Sequence, residues 1–286
     1  MFNASLSVLP QYLLPKQAMT VLAGHIANAS AGRITTFIIR QFIRHYGVNM
    51  DEAVNPDIPS YRTFNDFFTR ALRAEKRPIA QADYVCPADG IISQLGIISG
   101  DRIFQAKGRN YSATTLVGGD SELARRFGGG HFATVYLSPR DYHRVHMPCS
   151  GQLTRMVHVP GTLFSVNPRT VRGVPGLFAR NERVICVFES EHGPFVMILV
   201  GATIVGSIAT VWHGVVNPER SREVHEWQYG SQDILLGKGE EMGRFQLGST
   251  VIMLFPENRL VFNPLWAPAQ AVRFGETMAT RTCMRT

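Results

Sequence analysis

From residue 85 onward, short apolar runs alternate with turn residues. The runs are rich in β-branched and aromatic residues, and Gly, Pro, Asn and Asp separate them. Runs of this kind, bounded by turn signals, are typical of β-strands. Examples are HFATVYLSP, RVICVFES, PFVMILV and STVIMLF. The pattern therefore predicts that this part of the chain is β-rich.

One apolar stretch, FVMILVGATIVGSIATVW at residues 195–212, has no charged residue and is long enough to be tested as a membrane span. Its β-branched residues, interrupted by Gly201 and Gly206, favour strands over a helix. We therefore predict two buried strands with a break at glycine.

The first fifty residues contain no Asp or Glu, and their polar pattern differs from the rest of the chain. At about 100° per residue, Arg33, Arg40 and Arg44 share a narrow arc of a helix. Isoleucine and aromatic residues fill the opposite side, while Phe37 lies near the basic arc. Such a helix packs on its own domain or lies in a membrane interface, and the pattern leaves both open.

Two further patterns complete the expected organisation. The polar segment NMDEAVNPDIPSYRT reads as a linker, and TFNDFFTRALR reads as a helix capped by Thr63 or Asn65. We expect an α+β fold in which an amphipathic helical membrane-docking region, residues 1–60, precedes a β-rich catalytic domain, residues 61–286.

The composition indicates that the binding partner is anionic but does not identify it. The chain has 29 basic and 22 acidic residues and a pI near 9.5, which favours anionic partners, either nucleic acid or anionic lipid. Its four cysteines are far apart and are expected to be reduced thiols in a cytosolic protein. The phosphate-binding, dinucleotide-binding, lipase and zincin signatures are absent from the sequence.

The segment SPRDYHRVHMP carries the first candidate chemistry. Ser138 and Pro139 resemble a helix start, which would place His143 and His146 on neighbouring positions of one face. Three interpretations stay open: the two histidines lie on the surface, they bind a metal for which no third ligand is evident, or one of them is a general base oriented by a carboxylate. Asp89 of CPADG offers a carboxylate, and Ser249 of FQLGST offers a hydroxyl. The order Asp, His, Ser is weak evidence by itself.

Several longer segments together resemble the phosphatidylserine decarboxylase family. They span residues from about 60 to the end, and the basic N-terminus is similar to the membrane-bound bacterial branch. The segments are YRTFNDFFTR, PADG, LSPRDYHRVHMP, LFSVN, LFARNERV, LVGATIVGSI and GEEMGRFQLGST.

The resemblance implies specific roles. Self-cleavage would occur between Gly248 and Ser249, giving chains 1–248 and 249–286 and converting Ser249 into a covalent pyruvoyl cofactor. The family's triad maps onto Asp89, His146 and Ser249, and His143 matches the residue that assists decarboxylation. The pyruvoyl group would form a Schiff base with phosphatidylserine and act as an electron sink. Ser165 and Asn167 are the expected substrate contacts, and no metal is expected.

The resemblance also sets the expected partners. They are phosphatidylserine, an anionic membrane surface and the protein's own second chain, with a higher homo-oligomer left open and no nucleic acid. The protein would lie peripherally on the cytoplasmic face of the membrane. The alternatives are a pyruvoyl enzyme acting on a soluble amino acid, a non-catalytic lipid-binding β protein, and a metal hydrolase using His143 and His146.

Overall fold

The computed structural model describes residue 12 and residues 16–203, 207–217, 221–246, 249–257 and 260–281. Ser249 is therefore described, whereas Gly248, the other half of the predicted cleavage site, lies outside the described residues. Gly206 and Cys283 also lie outside them.

The helices of the described residues are short, apart from two near the N-terminus. They are α1 (Lys16–Asn28), α2 (Arg33–Tyr46), α3 (Phe64–Phe68), α4 (Ala113–Leu116), α5 (Ser121–Arg125), α6 (Pro168–Gly173) and α7 (Leu177–Arg180). Single 3₁₀ turns occur at Ile58–Ser60 and Ala74–Lys76.

Strands make up most of the remaining regular structure. They are β1 (Tyr84–Val85), β2 (Gly90–Ile97), β3 (Arg102–Ala106), β4 (Arg109–Ser112), β5 (His131–Leu137), β6 (Arg144–His146), β7 (Gly151–Val159), β8 (Arg183–Glu189), β9 (Phe195–Val200), β10 (Ser207–Thr210), β11 (Gly214–Val215), β12 (His225–Gln228), β13 (Leu235–Leu236), β14 (Glu241–Gln246), β15 (Ser249–Phe255), β16 (Leu260–Phe262), β17 (Ala271–Val272) and β18 (Thr277–Arg281). The predicted α+β fold is confirmed.

One large antiparallel sheet organises the molecule. Its strand order is β12-β7-β8-β9-β15-β5-β2-β17, and β13 also pairs with β7. Two smaller sheets, β11-β10-β14-β6 and β1-β18-β16, and the hairpin β3-β4 surround it. Strand β15 therefore lies in the middle of the large sheet, between β9 and β5.

Both faces of the central strands are buried. Along β15, Val251, Met253 and Phe255 belong to one apolar core, while Ile252 and Leu254 belong to the core on the opposite face. Strand β9 alternates in the same way. Two-sided burial explains why these strands read as continuous apolar runs instead of alternating with polar residues.

The long uncharged stretch at residues 195–212 supplies two of these strands. Phe195–Val200 forms β9 and Ser207–Thr210 forms β10, as predicted, and the chain leaves regular structure between them at Gly201. No helix in the described part of the chain is long and apolar enough to cross a membrane.

The N-terminal helices pack on the segment that follows the linker. Ile39 of α2 shares a small apolar core with Phe64, Phe67 and Phe68, the aromatic residues of α3. Thr63 caps α3 through a capping box with Asp66, so the predicted cap at Thr63 is confirmed. The expected division at residue 60 stays a prediction, and this core contains side chains from both sides of it.

The predicted helix at SPRDYHRVHMP is wrong. Asp141 accepts hydrogen bonds from the backbone N–H and hydroxyl of Ser138, as at a helix start, but only a turn forms. Residues 144–146 instead become β6, because they pair with β14. A strand has a period of two, so residues 143 and 146 do not share a face as they would on a helix.

Candidate active site

Ser249 is the first residue of β15 and is fully buried. Its Cα pairs with that of Leu137 on β5, and its Oγ has no hydrogen-bond partner among the residues that the structure describes. A buried hydroxyl without a partner costs about 1–3 kcal/mol, so such groups are uncommon in native structures. The hydroxyl is therefore held in a dry environment without a local structural role.

His146 is held by two hydrogen bonds and a ring contact. Its Nδ1 lies 2.9 Å from the carbonyl oxygen of Gly239, and its Nε2 lies 3.1 Å from the hydroxyl of Tyr142. A carbonyl can only accept, so Nδ1 carries the proton and Nε2 presents a lone pair. The ring of Phe274 stacks on the imidazole at 3.7 Å between centroids.

Burial sets the protonation of this pair. It lowers the pKa of His146 to about 4 and raises the pKa of Tyr142 above its ordinary range. At neutral pH the imidazole is therefore uncharged and the phenol is protonated, so Tyr142 donates to Nε2. The arrangement provides a neutral nitrogen base of fixed orientation.

Gly239 has the backbone conformation needed to supply its carbonyl. Its φ of +82° lies in the left-handed region, which favours glycine. A Cβ there would also lie 2.8 Å from Cδ1 of Ile79. The carbonyl that orients His146 thus depends on a residue without a side chain.

Asp89 lies beside this histidine without bonding to it. Its carboxylate accepts hydrogen bonds from the Nε and Nη2 atoms of Arg77 and, at 2.8 Å, from the backbone N–H of Phe274. The ring of that same Phe274 stacks on His146. Within the described part of the chain, Asp89 and His146 are therefore joined through Phe274 and share no direct hydrogen bond.

Arg77 connects Asp89 to a second carboxylate. Its Nη2 lies 2.7 Å from Oε2 of Glu52, and the side chains of the three residues are largely buried. Burial alone would lower the pKa of Arg77, but its hydrogen bonds to Asp89 and Glu52 raise that pKa above the ordinary value. This cluster pairs the carboxylate of Asp89 with a buried guanidinium and fixes its direction.

His143 is fully buried, and only one of its ring nitrogens is bonded. Its Nδ1 lies 2.8 Å from the carbonyl oxygen of Asp141, whereas its Nε2 has no hydrogen-bond partner in the described part of the chain. Burial lowers its pKa to about 3, so the imidazole is neutral. The Phe68 ring lies 4.0 Å away, between centroids. His143 therefore presents a second neutral acceptor.

The backbone brings His143 towards the start of β15. The N–H of Phe245, on β14, donates to the carbonyl oxygen of His143, and β15 begins four residues later. The hydroxyl of Ser249 nevertheless bonds to neither histidine in this structure.

Ser165 and Asn167 have local partners. Asn167 caps α6 by accepting a hydrogen bond from the N–H of Thr170, and its Nδ2 donates to Oγ of Ser165. Their predicted contact with substrate stays a prediction. Among the described residues, no group of three or more His, Cys, Asp or Glu side chains is placed to hold a metal ion.

Comparison with known proteins decides the family. The family model described as phosphatidylserine decarboxylase matches residues 64–280, and a second model, described as PSD, matches residues 6–47. The chain belongs to the phosphatidylserine decarboxylase family. The family predicted from the sequence is thus confirmed, as is its class of activity, that of a carboxy-lyase.

Similar proteins cover nearly all of the chain. A protein from Nitrosospira multiformis is 71% identical over 98% of this chain and 98% of its own length. Proteins from Dechloromonas aromatica and Variovorax paradoxus are 67% and 68% identical, each over 96% of this chain and over 98% and 96% of their own lengths. All three are named phosphatidylserine decarboxylase proenzyme.

Sequence reasoning missed several residues that shape this family member's site. Arg77, Tyr142, Gly239 and Phe274 hold Asp89 and His146 in place. Tyr142 lies within the motif that singled out the histidines, and Gly239 lies in a GKGEE turn. Phe274 carried no local signal, because its contact with Asp89 spans 185 residues of sequence.

Acidification should destabilise this decarboxylase-family chain through its two buried histidines. Folding lowers the pKa of His146 from 6.5 to about 4 and that of His143 to about 3. The unfolded chain therefore binds more protons in this window, and the stabilisation is complete above about pH 6.5 and is lost as pH falls through about 4. Urea unfolding between pH 7.5 and 4 measures this. His146→Gln should flatten the dependence, and the exposed His45→Gln should not; equal effects would contradict the assignment.

Removing the charge of Arg77 should strongly destabilise the fold. Arg77→Met leaves the carboxylates of Asp89 and Glu52 without their buried partner, which we expect to lower the free energy of unfolding by about 3–5 kcal/mol. The control is Arg126→Met, which breaks an exposed ion pair to Glu189 and should cost less than about 1 kcal/mol. Chemical denaturation of both variants measures the difference, and similar losses would refute a special role for the buried cluster.

Proposed function

We propose that this chain is a self-processing phosphatidylserine decarboxylase in which Ser249 is first the nucleophile and then the source of the pyruvoyl cofactor. The observation that carries the proposal is the fully buried, unpartnered hydroxyl of Ser249 at the start of the central strand, in a chain of this family. Conversion of a hydroxyl into a ketone removes a donor, so the cost of leaving that donor unpaired disappears.

The first reaction is cleavage between Gly248 and Ser249. Oγ of Ser249 attacks the carbonyl carbon of Gly248, the amide C–N bond breaks, and an ester forms. Loss of the Cα proton of Ser249 then breaks the ester C–O bond, giving a carboxyl terminus at Gly248 and dehydroalanine at 249. Hydrolysis of dehydroalanine releases ammonia and leaves the pyruvoyl group.

His146 is the proposed base for this reaction. Serine is a poor nucleophile until a base takes its proton. The hydrogen bond from Nδ1–H to the carbonyl oxygen of Gly239 fixes the tautomer in which Nε2 is unprotonated. Tyr142 can give up its hydrogen bond to Nε2, which frees that nitrogen to accept the proton of Ser249. Asp89 acts through Phe274, whose backbone and ring connect the two groups, and its charge favours the imidazolium that forms.

In the second reaction, the pyruvoyl group supplies the electron sink for loss of CO₂ from the substrate. His143 is the proposed proton carrier. Because its Nε2 is neutral and has no hydrogen-bond partner among the described residues, it can relay a proton to and from the substrate. The imidazole can pass a proton to the former α-carbon after CO₂ leaves. Conversion of the serine headgroup into an ethanolamine ammonium consumes one proton overall, and solvent supplies it.

The position of the cleavage site supports a stable two-chain product. Residues 249–286 contain β15, which pairs with β9 on one side and β5 on the other. They also contain β16, β17 and β18, which pair within other parts of the fold. Separation of the chains would break the middle of the large sheet, so the proposed heterodimer holds together without a covalent link.

Docking to an anionic membrane is proposed for α1 and α2. Both helices expose apolar side chains, among them Leu22, Ile26, Ile34 and Phe37. Arg33, Arg40 and Arg44 are exposed on α2, where they can meet lipid headgroups. A peripheral position on the cytoplasmic face, where anionic lipid is available, follows from this proposal.

Cleavage should require Ser249 and His146. Intact-mass analysis of wild type should show two chains, the smaller one beginning with a pyruvoyl group, whereas Ser249→Ala should give one intact chain. His146→Ala should slow cleavage by about 10²–10⁴-fold, because a positioned base contributes that much. His143→Ala should cleave and then fail to decarboxylate.

Ser93→Ala, which removes another hydroxyl of the same sheet, is the matched control and should cleave like wild type. An uncleaved, fully active wild type would refute the mechanism. Cleavage that needs His143 and not His146 would reverse their roles.

Vesicle binding should depend on the exposed apolar residues of α2. Ile34 and Phe37 are 64% and 61% exposed, so Ile34→Ser with Phe37→Ser should leave the fold intact and weaken binding to phosphatidylserine-containing vesicles at least about tenfold. Leu235→Ser, at a 70% exposed position on β13, is the control. Co-sedimentation measures binding, and equal loss in both variants would contradict docking through α2.

A further inference from the structure

Arg70 carries a buried charge that no hydrogen bond or ion pair from a described residue satisfies. The residue is 5% exposed, and its side chain makes no hydrogen bond or ion pair with any residue that the structure describes. Its contact to the face of the Phe67 ring, 5.2 Å from the guanidinium carbon to the centroid, leaves the N–H donors unused. Burying an unpaired guanidinium is expensive, so its retention calls for a ligand.

The neighbouring Arg77 shows what a structural arginine looks like in the same cavity. Its guanidinium donates to Asp89, to Glu52 and to the carbonyl oxygen of Lys76. Both arginines line one cavity of 290 Å³, close to the smallest size usual for ligand pockets, about 300 Å³. Among the described residues, the fold thus satisfies the guanidinium of Arg77 and leaves that of Arg70, which also lines the cavity, without a hydrogen bond.

Among the described residues, no carboxylate of the cavity bonds directly to Arg70, although the charges of Asp89 and Glu52 act on it from a distance. The carboxylates of Glu52 and Asp89 bind Arg77, and that of Asp141 accepts hydrogen bonds from the N–H and hydroxyl of Ser138. Arg140 and Arg273 add two further positive charges to the lining. Arg140 lies 3.9 Å from Asp141. The lining therefore holds four arginines against the three carboxylates of Glu52, Asp89 and Asp141, and its excess of positive charge favours an anion.

The cavity adjoins the proposed catalytic groups. Its lining includes Asp89 and Tyr142, the hydroxyl donor to His146. It also includes Ile91 of β2, whose Cα pairs with Tyr136 on β5, which in turn pairs with Thr250 on β15. Two strand spacings place Ile91 about 10 Å from the residue after Ser249.

A lipid headgroup entering the site could therefore reach both regions. The positive charge of Arg70 also adds to the effect of burial in lowering the pKa of His143, which indicates that the two side chains are near each other.

We propose that Arg70 is the anchor of an anion-binding subsite that takes an anionic oxygen group of the substrate headgroup, through charge-assisted hydrogen bonds from its guanidinium. This inference rests on the proposed function for the identity of the substrate. The group is the phosphodiester or the carboxylate of phosphatidylserine, which share this chemistry. An arginine on the departing carboxylate would stabilise the charge that decarboxylation must remove, which favours the phosphodiester.

The test compares full-length wild type with Arg70→Met and with Arg102→Met, which removes an exposed charge on β3 outside the cavity. Calorimetric titration with glycerophosphoethanolamine, which has a phosphodiester and no carboxylate, is the first arm. Glycerophosphoserine, which has both groups, is the second.

Arg70→Met should weaken binding about 10- to 100-fold, as expected for hydrogen bonds to a charged group. Arg102→Met should bind like wild type. Equal losses for both ligands assign the phosphodiester, and a loss for glycerophosphoserine alone assigns the carboxylate.

Thermal stability separates this role from a structural one. Removal of an unpaired buried charge should leave the melting temperature of Arg70→Met unchanged or raise it, while KM for short-chain phosphatidylserine rises and cleavage proceeds. Arg70→Lys, which keeps the charge and loses the planar fork, should bind with intermediate affinity.

Unchanged binding of both ligands in Arg70→Met, or a lower melting temperature with unchanged KM, would overturn the subsite. These binding measurements need neither cleavage nor turnover. A wild type that binds both ligands through Arg70 but is never cleaved would therefore refute the proposed processing and leave the subsite standing.

Discussion

The burial of β15 on both faces and along both edges is the constraint on which the rest of the structure depends. Its side chains alternate between two apolar cores, while its backbone pairs with β9 and β5. Such a position excludes water from Ser249, the first residue of the strand. It also means that a new chain terminus created at Ser249 would remain fixed by the strand pairing around it. The central strand thus serves both as the main support of the fold and as the proposed support of the cofactor.

A network of hydrogen bonds, ion pairs and ring contacts orients the charged groups near the buried Ser249. Arg77 gathers Asp89 and Glu52, and Phe274 then links Asp89 to the imidazole of His146. The carbonyl of Gly239 performs the tautomer-setting task that a carboxylate performs in many catalytic triads. In this structure Asp89 therefore contacts His146 only indirectly, through an aromatic residue whose backbone bonds to the carboxylate and whose ring stacks on the imidazole.

The N-terminal helices pack some of their apolar side chains on the fold and expose others to solvent. Ile39 of α2 is buried against the aromatic residues of α3, so the helix belongs to the fold, yet Ile34 and Phe37 remain open to solvent. The cavity at Arg70 lies just beyond this contact and includes Gly47, the residue that ends α2. A surface suited to lipid and a cavity suited to an anion are thus built from consecutive parts of the chain.

The sequence by itself determined the features that depend on local pattern. Unbroken β-branched runs predicted β9, β10 and β15, because strands buried on both faces need no polar alternation. The arc of arginines predicted α2, the capping residues predicted α3, and the family motifs identified Ser249 as the candidate nucleophile. The predictions of these strands and helices and of the family are confirmed, because each needs only neighbouring residues or an ordered set of short motifs, while the role of Ser249 stays a prediction.

Only the tertiary structure decided how the candidate groups are held. Ser138 has the hydrogen bonding of a helix start, but strand pairing between β6 and β14 forms instead of a helix. His143 and His146 therefore do not lie on one helical face. The partners of His146 and Asp89 lie 93 and 185 residues away, at Gly239 and Phe274. Composition likewise could not distinguish Arg77, which is fully paired, from Arg70, which is buried without a partner. Hydrogen bonding and burial depend on distant segments that meet only when the chain folds, so no local pattern records them.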